Sequence, residues 1–214
     1  MKNWTKLFLQ EVLDSKRLAL VEKFKKFKEK WFYLAGGTAL ALIFWHRESI
    51  DFDFFVKWNF DENKLFEEIL EIFEWENVKK IFSEKNTLYV EINWVKINFF
   101  GYNYDLIWDL IQTEYFDIAN IEDIWAMKLW AIQKRATNKD YVDLYYILQK
   151  ISLKELIDIF YKKYWNVISW NILLKSLVYF DDIVEENLII KDKNLNFEKV
   201  KNYLVKVVKD FENI

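Results

Sequence analysis

Two short segments in the first quarter of the chain decide its fold: Phe32-Tyr-Leu-Ala-Gly-Gly-Thr-Ala-Leu40 and Ser49-Ile-Asp-Phe-Asp-Phe-Phe55. In the first, an apolar run typical of a β-strand leads directly into Gly36 and Gly37, and a helix is predicted to start at Thr38. Glycine allows a sharp turn and a close approach of the backbone to a ligand. The free N–H groups at a helix N-terminus favour phosphate. The segment therefore predicts a phosphate-binding turn between a strand and a helix.

The second segment places two carboxylates on one side of a strand. Asp51 and Asp53 alternate with apolar residues, and residues two apart on a strand point to the same face. Like charges at this spacing repel unless a cation lies between them, and Mg²⁺, or Mn²⁺ in its place, is bound by carboxylates together with substrate phosphates. Taken alone, an Asp-x-Asp pair is more often a pair of solvated strand residues. Beside a phosphate-binding turn, it predicts a metal-dependent site for nucleotidyl transfer.

The motifs in and between these segments resemble one family. Gly36-Gly-Thr38, His46-Arg-Glu-Ser49 and Asp51-x-Asp53 are together similar to the nucleotidyltransferases of the AbiEii toxin family, part of the DNA-polymerase-β-like superfamily. The resemblance implies an α+β fold. A polymerase-β-like core with a small mixed sheet would span residues 1–115, and a C-terminal helical bundle would span residues 116–214.

The same resemblance implies roles for the residues of this first motif. Asp51 and Asp53 would hold the metal and act in catalysis. Arg47 would contact phosphate or fix the strand that carries the two aspartates. The residues that would cradle the triphosphate of the nucleotide form the turn: Gly36, Gly37 and Thr38.

A second motif of the same family lies in the helical part of the chain. A helix predicted from Ile121 to Arg135 carries Lys128, and Lys139-Asp-Tyr-Val-Asp143 begins the next helix. In the family this segment returns to the active site. Two helical turns separate Lys128 from Arg135, so these cations share one face. Such a pair suits a triphosphate whose leaving pyrophosphate needs its charge neutralised.

The residues of this second motif are candidates for different tasks. Lys128 and Asp140 are candidate catalytic residues, and Arg135, Lys139 and Asp143 are candidate nucleotide-binding residues. Each of the two aspartates would cap the helix, orient a cation or accept a proton. Taken alone, the block is typical of two charged helices joined by salt bridges.

The family pattern is broken at one position. The strand Val95-Lys-Ile-Asn-Phe99 resembles the strand that normally carries a third acidic residue, but Asn98 stands at that place. Either Asn98 is a neutral and weaker metal ligand, or Glu91 on the neighbouring strand takes the place of the missing third acid. Two-metal geometry is in doubt in either case. A simpler interpretation makes both residues exposed positions of a hairpin.

Composition limits the remaining classes of function. The 214 residues are 53% hydrophobic and 30% charged, which indicates a globular chain, and no apolar run reaches the length of a membrane span. The N-terminal residues have no signal-peptide pattern, and the absence of cysteine is compatible with the cytoplasm. A single histidine and no cysteine leave no His-based hydrolase or zinc site. The net charge of −3 means that RNA would need a local basic patch.

The use of tryptophan and glycine is unusual. There are 11 tryptophans, 3 glycines and no proline, whereas ordinary usage gives about 7% glycine, roughly 15 residues here. The dipeptide Asn93-Trp94 separates two alternating strands, where a two-residue turn favours Asn-Gly. Trp45, Trp58 and Trp165 also stand at ends of predicted elements. One hypothesis is that many tryptophans represent UGA codons that the source organism reads as glycine; the alternative is a chain simply rich in tryptophan.

The resemblance implies a function and partners. The protein would transfer a nucleotide from an NTP to an acceptor such as the 3′ end of tRNA, with Mg²⁺ or Mn²⁺ as cofactor. It would be the toxin of a toxin–antitoxin or phage-defence pair with a cognate antitoxin. Two alternatives stay open: transfer to a protein or a small molecule, and a catalytically weakened homologue that binds nucleotide or RNA.

Overall fold

The computed structural model describes residues 7–134, 136–165 and 168–213. Between Asn120 and Ile121 the chain divides into two compact units. The first unit is built on a sheet, and the second is built from helices. Within the described ranges, no helix is both long and apolar enough to cross a membrane.

The first unit contains a six-stranded mixed sheet in the order β3-β4-β5-β2-β1-β6. The central strand β2 runs antiparallel to β1 and parallel to β5, while β3, β4 and β5 form an antiparallel meander. A short β6 runs parallel to β1 at the other edge. The mixed sheet that the sequence predicts is therefore confirmed. The strand bounds are β1 Tyr33–Ala35, β2 Asp51–Val56, β3 Val78–Glu84, β4 Thr87–Ile92, β5 Val95–Gly101 and β6 Asp117–Ile118.

One face of this sheet carries the core of the first unit. Phe52, Phe54 and Phe99 are fully buried on that face. The rings of Phe24 and Phe27, from the helical segment before β1, pack edge-on against them at centroid distances of 4.8 to 5.4 Å. Such aromatic pairs contribute beyond their buried area, so this helical segment is held on the sheet by its rings.

The helices of the first unit flank the strands in chain order. The helical segment before β1 is interrupted by a 3₁₀ turn at Glu22–Phe24. The helix after the glycines begins at Gly36, two residues earlier than the sequence indicates. The bounds are α1 Leu9–Val12, α2 Ser15–Val21, α3 Lys25–Lys28, α4 Gly36–Phe44 and α5 Glu62–Ile72.

The second unit consists of helices that follow the sheet, as predicted. The helix α6 packs against α7, α8 and α9, and α10 lies against α7, α8 and α9. Ser152 caps α8 in a reciprocal arrangement with Glu155, whose carboxylate accepts from the Ser152 backbone N–H. The bounds are α6 Ile121–Lys134, α7 Asn138–Leu148, α8 Leu153–Tyr164, α9 Trp170–Leu177 and α10 Phe197–Glu212.

Candidate active site

The glycine turn is packed directly against the strand that carries the aspartates. In the antiparallel pair of β1 and β2, Ala35 lies opposite Asp53. The next residue, Gly36, has a φ of +69°, and a Cβ placed there would lie 2.7 Å from Oδ2 of Asp53. A side chain is excluded both by this close approach and by the left-handed backbone. The turn therefore brings the start of α4 onto the Asp53 carboxylate.

Thr38 joins α4 to the beginning of β2. Its buried hydroxyl donates to the backbone carbonyl of Asp51, and its oxygen lies 2.7 Å from the hydroxyl oxygen of Ser49. Thr38 does not cap α4, because the helix starts earlier and Ala35 occupies the N-cap position. A contact between Thr38 and a triphosphate stays a prediction and would use the backbone, since the hydroxyl is engaged within the protein.

Asp51 and Asp53 lie on the half-exposed face of β2, opposite to the aromatic core. Asn98 stands beside Asp53 on β5, and its Nδ2 donates to Oδ1 of Asp53 over 2.9 Å. Within the described residues, the carboxylate of Asp51 has neither a hydrogen-bond nor an ion-pair partner. One carboxylate is therefore positioned by an amide, and the other is available to an external cation.

Glu91 does not take the place of the missing third acid. On this face Lys96 lies between Glu91 and Asp51 in the register of the strands, and Glu91 pairs with Lys79 at 3.9 Å. No group of three His, Cys, Asp or Glu residues in the described ranges could hold a metal ion. The oxygen ligands available are those of Asp51, Asp53 and the amide of Asn98. This set fits Mg²⁺, which is commonly bound by one or two carboxylates, with water and substrate phosphates completing the octahedron.

Arginines fix the segment that leads into β2. Arg47 is buried, and its Nη1 donates to the backbone carbonyl of Glu48 over 2.9 Å. This burial favours the second of its two expected roles, the positioning of the Asp-bearing strand. Arg17, which the sequence motifs did not single out, donates from Nε to the carbonyl of Ile50 over 2.9 Å and pairs with Asp14. Only the fold brings Arg17 to the residue before Asp51, so no local pattern could have indicated it.

In the second unit, Lys128 lies between the two aspartates of its motif. Its Nζ is 2.9 Å from Oδ1 of Asp140 and 2.8 Å from Oδ2 of Asp143, and all three side chains are buried. Asp140 also accepts from the backbone N–H and the hydroxyl of Thr137, at 3.1 and 2.8 Å. This cluster joins α6 to the first two turns of α7.

The charge state of Asp140 follows from these contacts. Burial by itself raises the pKa of this carboxyl, but the charge and hydrogen bond of Lys128 oppose it, together with the hydrogen bond from Thr137. The pKa of Asp140 is lowered from its ordinary value of 3.8. Asp140 is thus ionised at neutral pH and forms an ion pair with Lys128.

The remaining predicted residues of this motif differ in their surroundings. Lys139 is partly exposed and pairs with Glu186 at 2.9 Å. Arg135 lies outside the described residues. A further ion pair, which lies outside both sequence motifs, joins Lys163 to Asp123 at 2.6 Å, with both side chains fully buried. It links α8 to α6.

A glycine turn held against an Asp-x-Asp strand of a mixed sheet, with helices following, is the arrangement of the polymerase-β-like nucleotidyltransferases. A family model described as nucleotidyl transferase AbiEii toxin, Type IV TA system, matches residues 18–166. The chain belongs to this family and is a toxin-type nucleotidyltransferase.

One relative by sequence and two solved structures are similar to most of the chain. An uncharacterized protein of Aquifex aeolicus is 37% identical over 186 residues, which cover 84% of this chain and 87% of the relative. Two solved structures share the fold at low identity. JHP933 of Helicobacter pylori is 15% identical with a TM-score of 0.54, over 95% of this chain and 92% of its own. MenT4, a nucleotidyltransferase toxin of Mycobacterium tuberculosis, is 14% identical with a TM-score of 0.56, over 94% and 86%.

Proposed function

We propose that the protein transfers a nucleotide from an NTP to a hydroxyl at the 3′ end of an RNA, with tRNA as the acceptor. The observation that carries this proposal is the pair formed by Asp51, whose carboxylate has no partner among the described residues, and Asp53, which lies against Gly36. A carboxylate pair beside a helix N-terminus offers places for both a cation and the phosphates it accompanies.

The reaction is an in-line displacement at the α-phosphorus. The acceptor hydroxyl oxygen forms a bond to this phosphorus as the bond to the bridging oxygen of the β-phosphate breaks. Pyrophosphate leaves with that electron pair, and the acceptor proton passes to a carboxylate or to water. Mg²⁺, or Mn²⁺, held by Asp51 and Asp53 with Asn98 as a neutral ligand, would supply positive charge to the phosphates when bound.

The chain's own groups divide the remaining work. Backbone N–H groups at Gly36, Gly37 and Thr38 cradle the phosphates, because the first N–H groups of a helix lack partners within it. Asn98 fixes the rotamer of Asp53 through its hydrogen bond.

In the second unit, we propose from the family resemblance that the cations stabilise the leaving pyrophosphate. Lys128 and Arg135 supply the positive charge, and Lys139 binds the nucleotide. Asp140 and Asp143 set the orientation of Lys128.

The family also supports a biological setting. We propose that the activity is toxic in the cytoplasm, where NTP and tRNA are present, and that a cognate antitoxin restrains it. Expression of the protein should then arrest growth, and the variant D51N, which keeps the size of the side chain but loses its charge, should relieve the arrest. Growth arrest by D51N equal to that of the unaltered protein would contradict toxicity through this site.

The acceptor is tested by offering α-labelled NTPs, one at a time, with Mg²⁺ and three separate acceptor pools: total tRNA, cell protein, and small molecules that carry hydroxyl groups. We expect label to enter tRNA and to depend on one preferred nucleotide. Label in protein or in a small molecule instead would support the first alternative. Nucleotide binding without transfer to any pool would support a weakened homologue, which the amide at Asn98 favours.

A further inference from the structure

The half-exposed face of the sheet carries a continuous series of aromatic rings next to the aspartates. Phe55 and Phe100 stack at a centroid distance of 5.0 Å. Phe100 contacts Tyr89 at 5.7 Å, and Tyr89 contacts Phe82 at 5.3 Å. We call Phe55, Phe100, Tyr89 and Phe82 the aromatic row.

The aromatic row is not part of the hydrophobic core. Core rings of the same strands, such as Phe54 and Phe99, point to the opposite face and are fully buried. The rings of the aromatic row remain accessible, and Phe82 is 43% exposed. Contiguous exposed apolar surface of this kind commonly marks an interaction site.

The aromatic row adjoins the candidate active site. Across the strands, Asp53 lies opposite Asn98, and Asn98 lies opposite Tyr89. The row runs over β2, β5, β4 and β3, and since neighbouring strands lie about 4.8 Å apart, it extends over roughly 15 Å. One base of an NTP would cover only part of this length, whereas a few consecutive unpaired bases would cover all of it.

The same face offers positive charge for a phosphate backbone. Lys96 points to this face between Asp51 and Glu91. It is exposed and forms no ion pair with any described residue. Lys57 follows the end of β2 and pairs with the exposed Asp105. Lysines beside a row of rings are the combination by which proteins bind single strands, since bases stack on the rings and the cations attract phosphate.

We propose that the aromatic row binds the unpaired bases that precede the 3′ end of the acceptor RNA, and thereby directs its terminal hydroxyl to Asp51 and Asp53. This inference rests on the proposed transfer to RNA and specifies how that RNA is held.

The test compares leucine variants, which keep apolar volume but remove the aromatic face. Y89L, F100L and F82L are assayed for binding to a labelled RNA hairpin with a four-nucleotide single-stranded 3′ end. F211L, an aromatic change in α10, is the matched control. We expect each row variant to weaken binding by about tenfold, because stacking on one ring is commonly worth about that factor. F211L should bind this hairpin as tightly as the unaltered protein does. On a blunt hairpin, all of the proteins should bind weakly and to the same extent.

The outcomes separate this inference from the proposed function. If the unaltered protein transfers to RNA and the row variants bind the hairpin as tightly as it does, the aromatic row is not the acceptor site. If the row variants lose NTP affinity while keeping RNA affinity, the row holds the nucleotide base instead, and the inference is wrong. If the unaltered protein neither binds nor modifies RNA, the proposed function itself fails. F82L changes an exposed ring and so keeps the test valid if F100L does not fold.

A second and independent observation concerns the backbone at tryptophan. Among the described residues, five residues other than glycine have positive φ, and three of them are tryptophans: Trp31 at 64°, Trp45 at 53° and Trp94 at 70°. The other two are asparagines, which tolerate this region. For a bulky side chain a positive φ is a genuine outlier.

These tryptophans stand where glycine normally occurs. Trp45 ends α4 in the left-handed conformation, which is the usual place of a helix-terminating glycine. Trp94 is the second residue of the two-residue turn between β4 and β5, and Asn93 before it also has positive φ. The side chains of Trp31 and Trp94 are 73% and 66% exposed, whereas the ring of Trp45 stacks on Phe8 at a centroid distance of 5.6 Å.

We infer that the natural polypeptide has glycine at positions 31, 45 and 94, encoded by UGA. The gene provides the first test: UGA at these three codons is expected, and UGG would overturn the inference. The second test measures thermal unfolding of W31G, W45G and W94G. Each should raise the unfolding midpoint, because glycine adopts positive φ without strain. W125G, within α6 at a buried position, should lower it, and equal lowering by all four variants would contradict the inference.

Discussion

At the scale of single residues, the site depends on Gly36 having no side chain. The variant G36A combines a left-handed backbone with a methyl group 2.7 Å from Oδ2 of Asp53. The backbone conformation alone costs about 1–2 kcal/mol for an L-residue, and the contact displaces the carboxylate. We predict a loss of unfolding free energy of at least this size in urea titration, together with loss of nucleotidyl transfer.

The contact and the backbone strain can be separated by a double variant. In a D53A background the carboxylate is gone, so G36A should then cost only the strain of the backbone. A G36A effect of the same size in both backgrounds would show that the approach of Gly36 to Asp53 is unimportant.

Asn98 is the residue at which this chain departs from the family pattern. The variant N98D replaces the amide donor of Asp53 with a third carboxylate, so like charges meet without a bridging hydrogen. We predict a lower unfolding midpoint than the unaltered protein in EDTA, and a larger rise of that midpoint when Mg²⁺ is added. N98L, which lacks both charge and donor, is the control. Equal Mg²⁺ responses in N98D and the unaltered protein would place Asn98 away from the metal.

At the scale of elements, the second unit depends on the ion pairs between its helices. The variant K128M leaves Asp140 and Asp143 buried without their cation. Breaking a buried pair by removing one partner costs about 3–5 kcal/mol, and we predict a loss of this order in urea unfolding at neutral pH. K154M removes an exposed pair with Asp158 on α8 and should have little effect.

The pH dependence of the stability lost in K128M is a second test of the cluster formed by Lys128, Asp140 and Asp143. Because the folded pKa of Asp140 is lowered, its contribution is present above the ordinary pKa of 3.8 and is lost as the pH falls through the folded value. In K128M, burial acts without the opposing lysine, so protonation stabilises the variant. The stability difference between the two proteins should narrow as the pH falls from neutral through 3.8, because Asp140 takes up its proton in K128M at a higher pH than in the unaltered protein. A stability difference that stays constant over this pH range would contradict a lowered pKa of Asp140 in the unaltered protein.

The buried pair of Lys163 and Asp123 tests which effect is larger for stability: the cost of burying two charges between α8 and α6, or the attraction between them. The variant K163M should destabilise the protein by about 3–5 kcal/mol, whereas K163M combined with D123L should recover most of the loss, because no buried charge remains. The measurement is urea unfolding of both single variants and the double variant. If the double variant is no more stable than the singles, the pair is needed for the packing of these helices.

The local sequence pattern was sufficient to predict most helices and strands, but not the long-range contacts between them. The alternation in β2, β4 and β5 and the Asn93-Trp94 turn were predictable because strand period and turn conformation are local properties. The start of α4 at Gly36 was not, since it results from the packing of that glycine on Asp53. The two-residue β6 escaped prediction because its strand conformation comes only from pairing with β1.

The candidate site, too, was predictable from sequence only in part. The glycines and the aspartate pair follow from motif spacing, whereas the Asn98 bond to Asp53 follows from strand register. The contact of Arg17 with the carbonyl of Ile50 joins residues far apart in sequence. Sequence spacing carries no information on such a pair.

At the scale of the whole molecule, the chain is an AbiEii-family nucleotidyltransferase in which Asn98 stands where the family pattern has a third acid. We propose that Asp51 and Asp53 are the residues on which the transfer depends. Both lie on one face of β2, and neither belongs to the hydrophobic core. Conservative replacement should therefore remove activity without unfolding the protein.

The most direct measurement is the rate of pyrophosphate release from NTP and Mg²⁺ in the presence of tRNA, for D51N and D53N beside the unaltered protein. D158N, an exposed carboxylate change on α8, is the matched control, and unfolding midpoints confirm that each variant is folded. We predict that D51N and D53N each lose at least about a hundredfold in rate, since electrostatic groups at a reaction centre commonly contribute about that factor, and that D158N keeps the unaltered rate. Folded D51N and D53N proteins that release pyrophosphate at the unaltered rate would show that these two carboxylates are not needed for the transfer.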